Sequence, residues 1–219
     1  MMRVWELNAR RWMGLLLAIL GSVIALPGRT SVQAEAPVVV LEDFRTKDPD
    51  GFPAGWKAQR NETKARQSYT IKSEPEGAYL SATKADQRVY KKIGWDPRTH
   101  PILSWRWRLT FAPTGAEPIA SVFASLDTDL MVIPVSTKYS WSASRAEGSV
   151  TEGGMFSGTE IVVQSGLNPL GQWLEERVNA YEDFKKIHNH EPAAEAWGVS
   201  LLAGPGVEVE FGSITVSAK

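Results

Sequence analysis

From Val38 onward the chain is written in short alternating or apolar runs, each closed by Gly, Pro, Asn or Asp. Val38 to Phe44 opens the series and ends at the turn-rich Asp48-Pro49-Asp50-Gly51. Ser68–Ser73, Ala78–Thr83, Arg88–Ile93, Ile102–Phe111 and Ile119–Leu126 continue it, followed by Lys138–Ala143, Glu160–Gln164, Ala196–Ala203 and Val207–Val216. Short strands at spacings near ten residues, with no helices alternating between them, predict a mainly β, antiparallel sandwich and not a parallel sheet. One segment departs from the pattern. Between Glu175 and His188, the side chains Val178, Tyr181, Phe184 and Ile187 recur at helical spacing. Lys185, Lys186 and His188 then suit the negative end of a helix dipole. The spacing predicts one helix of about three turns, beginning near Val178 and docked on a sandwich edge.

Alternation also assigns faces. In Ile102–Phe111, Leu103, Trp105, Trp107 and Leu109 share one side, while Ser104, Arg106, Arg108 and Thr110 share the other. Two indoles flanked by leucines, with no charge among them, read as core, and functional interest moves to the arginine face. Side chains two apart on a strand lie about 7 Å apart, a spacing that brackets a carboxylate or sulfate. The plainer reading pairs those arginines with acids on neighbouring strands, such as Glu160, Glu208 and Glu210. In Ile119–Asp127, Ala120, Val122, Ala124 and Leu126 look inward. Ser121, Phe123 and Ser125 look outward with Ile119 and Asp127, a small polar face around one aromatic. Tyr139 and Trp141 share a side opposite Ser140, and read either as a stacking surface or as one more core pair.

Composition narrows the classes. The chain has 219 residues, 43% of them hydrophobic, enough for one sizeable core. Its 24 basic and 25 acidic residues leave a net charge of −1, which disfavours both a disordered chain and a nucleic-acid binder. Cysteine is absent, which removes disulfides, thiolate metal sites and cysteine nucleophiles. Tryptophan is abundant at 9. The first residues read as an export leader: Arg3, Arg10 and Arg11 flank an apolar run from Met13 to Leu26, and Val32-Gln33-Ala34 offers small residues for cleavage. The run is shorter than the roughly 20 residues a membrane-spanning helix needs. The expectation is a signal peptide at 1–34, cut after Ala34, and a single periplasmic β-sandwich domain at 35–219 with no membrane span.

A family resemblance rests on motifs in a fixed order. These are Pro101-Ile102-Leu103-Ser104-Trp105-Arg106-Trp107-Arg108, Tyr139-Ser140-Trp141, Ile161-Val162-Val163-Gln164-Ser165-Gly166, Leu170-Gly171-Gln172-Trp173 and Tyr181-Glu182-Asp183-Phe184-Lys185-Lys186. With the opening Glu42-Asp43-Phe44 and Phe52-Pro53-Ala54-Gly55-Trp56, the chain resembles the exported bacterial family called domain of unknown function 3047. The resemblance implies a galactose-binding-like jelly roll and supplies no catalytic residues. Where that family's pattern has an aspartate-rich turn, this chain has Ala203-Gly204-Pro205-Gly206, without a carboxylate.

Candidate chemistry is sparse. His188-Asn189-His190-Glu191 lacks the third and fourth convergent ligands of a zinc site. Asp127-Thr128-Asp129 has the alternate oxygen spacing of a structural calcium loop, or of a capped turn. No phosphate loop, dinucleotide fingerprint or nucleophile elbow is present. The leading expectation is a non-catalytic periplasmic module binding a glycan or acidic small ligand and needing no cofactor beyond that possible calcium. Arg106 and Arg108 hold acidic groups in this reading, Tyr139 or Trp141 stacks, and Ser125 and Gln164 donate hydrogen bonds. The alternatives are a jelly-roll hydrolase or lyase using Glu175, Asp127 or Glu160, and a structural envelope protein with an apolar docking patch.

Overall fold

Burial of alternate side chains from both sides of one core produces two sheets. The computed structural model describes residues 37–85, 87–130, 132–153 and 158–219, so the leader read at 1–34 lies outside the described residues. In chain order the elements are β1 (Val38–Glu42), β2 (Lys57–Ala58), α1 (Glu62–Ser68), β3 (Tyr69–Glu74), β4 (Gly77–Thr83) and β5 (Val89–Lys92). Then come β6 (Ile102–Phe111), β7 (Ala120–Asp129), β8 (Ile133–Ser142), β9 (Val150–Thr151) and β10 (Thr159–Ser165). The last are β11 (Leu174–Asn179), α2 (Ala180–His188), β12 (Gly198–Ala203) and β13 (Glu208–Ser217).

One sheet runs β11-β6-β13-β4-β3, with β1 also paired to β13; the other runs β2-β5-β12-β7-β8-β10-β9. Successive strands switch sheets from β4 to β7 and again from β10 to β13, the winding of a jelly-roll sandwich. Pairing is antiparallel with one exception. β10 lies parallel to β8, because the chain returns through β9 before entering β10.

The expected inward indoles form the centre. Trp105 and Trp107 are buried and meet edge to face at 5.4 Å. Across the core Trp105 packs on Tyr139 at 5.7 Å and Trp107 on Trp141 at 5.5 Å. At roughly 25 cal/mol per Å², burying each such ring contributes about 5 kcal/mol before ordering entropy is subtracted. Ala120, Val122, Ala124 and Leu126 of β7 face them, as alternation predicts. In β13 a register shift between Phe211 and Ile214 sends both to the interior, leaving Gly212 and Ser213 between.

The helix is shorter than expected. Leu174–Asn179 is a strand antiparallel to β6, and α2 begins only at Ala180. Asn179 sets that boundary, its side chain accepting a hydrogen bond from the Glu182 backbone N–H at 3.1 Å. Glu175 and Glu176 therefore stand on opposite faces of a strand, not side by side at a helix start. A second helix, α1, arises where the sequence reading has none; Asn61 caps it through the Lys64 N–H at 3.0 Å, and Ala65 is its buried residue.

Candidate functional site

Period two carries Ser104, Arg106 and Arg108 to the outer face of the six-stranded sheet, and the two arginines meet different fates. Arg108 is satisfied. Its Nη2 donates to Glu74 at 2.9 Å and its Nε to Glu210, and its guanidinium lies 4.3 Å from the Trp173 ring. Trp173 donates its indole N–H to the other oxygen of Glu74 at 2.6 Å. Burial pushes the Glu74 carboxyl up, but the Trp173 and Arg108 hydrogen bonds overcome it and hold the group below the usual carboxylate range. Of the acids expected opposite this pair of arginines, Glu210 is the one found, with Glu74 unanticipated.

Arg106 has no ion pair among the described residues. Its side chain lies across Gly212, where a Cβ would stand 2.3 Å from the Arg106 Cγ, and its guanidinium stacks 4.6 Å from Trp173. Its Nε is buried without a hydrogen-bond partner. Over it opens a groove of about 280 Å³ lined by Glu76, Ser104, Trp105, Arg106, Glu175, Ser213 and Thr215. Glu175 stands in register with Arg106 on β11. The groove thus offers a planar multi-donor cation, two carboxylate acceptors and three hydroxyls that both donate and accept. That inventory suits a neutral polyhydroxylated ligand better than an anion, which the two acids would repel.

The other expected contacts do not converge here. Tyr139 and Trp141 are buried in the core; Tyr139 donates to Asp183 at 3.0 Å and Trp141 to the Gly166 carbonyl at 2.6 Å. Neither ring has a face open to a ligand. Ser125 is buried on the outer side of the seven-stranded sheet, within 2.7 Å of the Ser136 hydroxyl. Gln164 follows the β10 register shift, its amide 3.4 Å from the Ser165 carbonyl. Asp127 and Asp129 accept the backbone N–H of Thr128 and Leu130 at 2.7 and 2.8 Å, as turn-capping side chains do. Among the described residues no three His, Asp or Glu side chains gather as metal ligands. His188 packs 4.3 Å from the Phe184 ring, and burial lowers its pKa.

The acids considered for catalysis are equally dispersed. Glu175 is exposed in the groove, and Asp127 stands 3.7 Å from His190. Burial raises Glu160, but Arg145, Lys138 and Ser140 hold it ionised, down to about 2. The desolvated carboxyls are two that sequence reasoning missed. Glu176 points inward from β11, accepts the Trp107 indole N–H at 3.1 Å, and is pushed by burial up to about 7. Asp183, also raised by burial, borders a separate cavity of about 630 Å³ between β9–β10 and α2, with Glu152, Lys186 and Asn189. The inward position of Glu176 was readable only once Leu174–Asn179 was known to be a strand.

No helix among the described residues is long and apolar enough to cross a membrane. The exposed large apolar side chains fall on β1 (Val38, Val39, Val40), the β7–β8 hairpin (Leu130, Val132), β9 (Val150), the end of β6 (Phe111) and the loop before β11 (Leu167, Leu170).

The architecture is that of a jelly-roll β-sandwich, and comparison with known proteins agrees with the family drawn from the motifs. Residues 125–203 match the family described as a protein of unknown function, DUF3047. That span includes the Tyr139-Ser140-Trp141, Ile161–Gly166, Leu170–Trp173 and Tyr181–Lys186 motifs. No curated protein matches the sequence. Similar solved structures include a family 12 glycoside hydrolase, 11% identical, covering 84% of this chain and 99% of that one at a TM-score of 0.45. Endoglucanase 3 of Trichoderma harzianum, from the same hydrolase family, is 12% identical, with coverages of 85% and 99% and a TM-score of 0.44. The mannan-recognising carbohydrate-binding module TmCBM27 is 13% identical, with coverages of 84% and 99% and a TM-score of 0.39. Likenesses of this degree identify no ligand.

Proposed function

We propose that the protein is a non-catalytic module that binds a glycan or similarly hydroxyl-rich ligand in the Arg106 groove. One observation carries the reading: a guanidinium with no ion pair among the described residues, held flat on Trp173, shares an open groove with Glu76, Glu175, Ser104, Ser213 and Thr215. Arg106 donates in pairs to vicinal hydroxyls, while the carboxylates accept from them, so sugar rings are gripped by complementary planar groups. Arg108 acts as a buttress, fixing Trp173 through Glu74. The protein works outside the cytoplasm in this proposal, exported by the leader read at 1–34; the absence of cysteine is consistent with a fold that needs no oxidative step.

The test is affinity electrophoresis and calorimetry against neutral polysaccharides (galactomannan, xylan and dextran) with the parent chain and Arg106→Ala. Retardation by at least one of them, lost in the variant, is the expected result. An undiminished interaction in Arg106→Ala, or none in the parent, refutes the site. Cell fractionation with N-terminal sequencing tests export; a cytoplasmic, uncleaved chain refutes it.

A second reading, a hydrolase or lyase on envelope polysaccharide, is favoured by Glu176, whose pKa near 7 suits a general acid. Release of reducing ends that disappears in Glu176→Gln would support it over pure binding.

A further inference from the structure

The outer face of the seven-stranded sheet carries a cluster of cations apart from the Arg106 groove. Arg88, Tyr90 and Lys92 alternate with the buried Val89, so all three side chains leave the core on one side of β5. Across the sheet Tyr90 stands in register with Lys57 on β2 and Ser200 on β12; Lys92 is opposite Gly198. One strand further, Phe123 faces Ser200 and Ser125 faces Gly198. The residues so placed on these four strands include three cations and two aromatic rings, with Ser200 and Ser125 buried beneath them; the neighbouring acids are Glu160, paired with Lys138, and Glu195, which lies against Gly94.

Several arginines elsewhere are answered by acids. Arg66 is gripped by Asp48, Asp50 and Glu62, Arg98 by Asp96, Arg108 by Glu74 and Glu210, and Arg145 by Glu117 and Glu160. Arg88, Lys57 and Lys92 have no ion pair among the described residues. Aromatic rings hold two of them. The Arg88 guanidinium lies 4.5 Å from the centre of the Phe123 ring, and its Nε is buried without a hydrogen-bond partner. The Lys92 ammonium lies 5.2 Å from the Trp197 ring, which packs on Tyr90 at 5.4 Å. Burial pushes the Arg88 pKa down, as expected of a cation drawn out of water with no anion supplied. A guanidinium lying on a ring keeps its N–H edge free for a bidentate acceptor.

Spacing sets the kind of anion. Four residues of strand separate Arg88 from Lys92 by about 13 Å, too far for one small carboxylate or sulfate to bridge. Anionic groups repeated along a polymer meet both. The whole chain has a net charge of −1, far from the basic character of a nucleic-acid binder. Phe123 is buried, so this face offers no protruding apolar anchor for a bilayer.

We propose that this face binds an acidic polysaccharide, with Arg88 and the Lys57–Lys92 pair holding successive anionic sugars. The probes are polygalacturonate, alginate and chondroitin sulfate, set against methyl-esterified polygalacturonate, which keeps the backbone and removes the charge. The full chain should bind at least one acidic polymer, with affinity at least tenfold above the esterified one and falling steeply with added salt. Lys57→Gln with Lys92→Gln changes only surface positions and should weaken binding at least fivefold at an unchanged unfolding midpoint. Arg88→Gln should do the same, while Arg106→Ala should leave it intact. Equal binding of charged and esterified polymers, no binding to any acidic probe, or an undiminished double-lysine variant overturns the proposal. So does tighter binding to duplex DNA or to anionic vesicles. Loss of acidic-polymer binding in Arg106→Ala would show that the two faces are not separate sites.

Discussion

Glu176→Gln probes a carboxyl that burial pushes up to about 7. The side chain sits between Leu174 and Val178 on the inward side of β11, with the Trp107 indole N–H as donor at 3.1 Å and Glu147 adding repulsion. Burial raises its pKa from 4.5 to about 7. The folded chain therefore holds this proton more tightly than the unfolded chain does. Below about pH 4.5 both states are protonated and the group adds no penalty. As pH rises through 4.5 toward 7 the unfolded chain ionises first, and stability falls; above 7 the loss is complete. A rise of that size corresponds to about 3 kcal/mol in a fully desolvated site. Solvent reaches part of this carboxyl, so about 1–2 kcal/mol is the expected effect after screening. Glutamine keeps an acceptor for Trp107 and removes the titration. Urea unfolding followed by tryptophan fluorescence between pH 4 and pH 8.5 measures the result. The variant should match the parent at pH 4 and exceed it by about 1–2 kcal/mol at pH 8.5. Parallel pH profiles, or a variant less stable at pH 8.5, would show that Glu176 is not desolvated in the fold.

Two further substitutions test the fold and the groove. Glu42 is a buried hub, accepting from the Trp56 indole at 2.7 Å, the Phe44 N–H at 2.7 Å and Lys91 at 2.8 Å. Glu42→Ala strands those donors and should lower unfolding free energy by about 3–5 kcal/mol; a loss below 1 kcal/mol would refute the hub. Gly212→Ala places a Cβ 2.3 Å from the Arg106 Cγ, so the guanidinium must leave Trp173. Neutral-polysaccharide retardation should fall as far as in Arg106→Ala, while far-UV circular dichroism stays that of the parent; unaltered retardation would count against the groove.

Period-two alternation was enough to place the core because the inward set is chemically unambiguous. Leu103, Trp105, Trp107 and Leu109 carry no polar head except the indole N–H, and no other face of β6 can hide them. Helix α2 was misplaced for the opposite reason. Val178 belongs both to a period-two set with Leu174 and Glu176 and to a helical set with Tyr181 and Phe184, and pairing with β6 decides between them. Asn179 followed by Glu182 three residues later was the available signal for the true start. The parallel β8–β10 pair left no local trace, since the pairing direction depends on where the chain returns after Ser142.

Arg106 and Arg108 are identical in residue type, strand and face, and sequence could not separate them. What separates them is the neighbouring strand at each level of the sheet. Glu210 of β13 and Glu74 of β3 reach Arg108. At the level of Arg106 the β13 register shift puts Gly212 instead, and the side chain lies over bare backbone with no ion pair among the described residues. The same logic applies on the other sheet, where Gly198 and Ser200 stand beside Lys92 and Tyr90. In both places a residue too small to answer a cation sits where a carboxylate would have neutralised it. The two proposed surfaces therefore rest on the small residues of β12 and β13 as much as on the cations themselves.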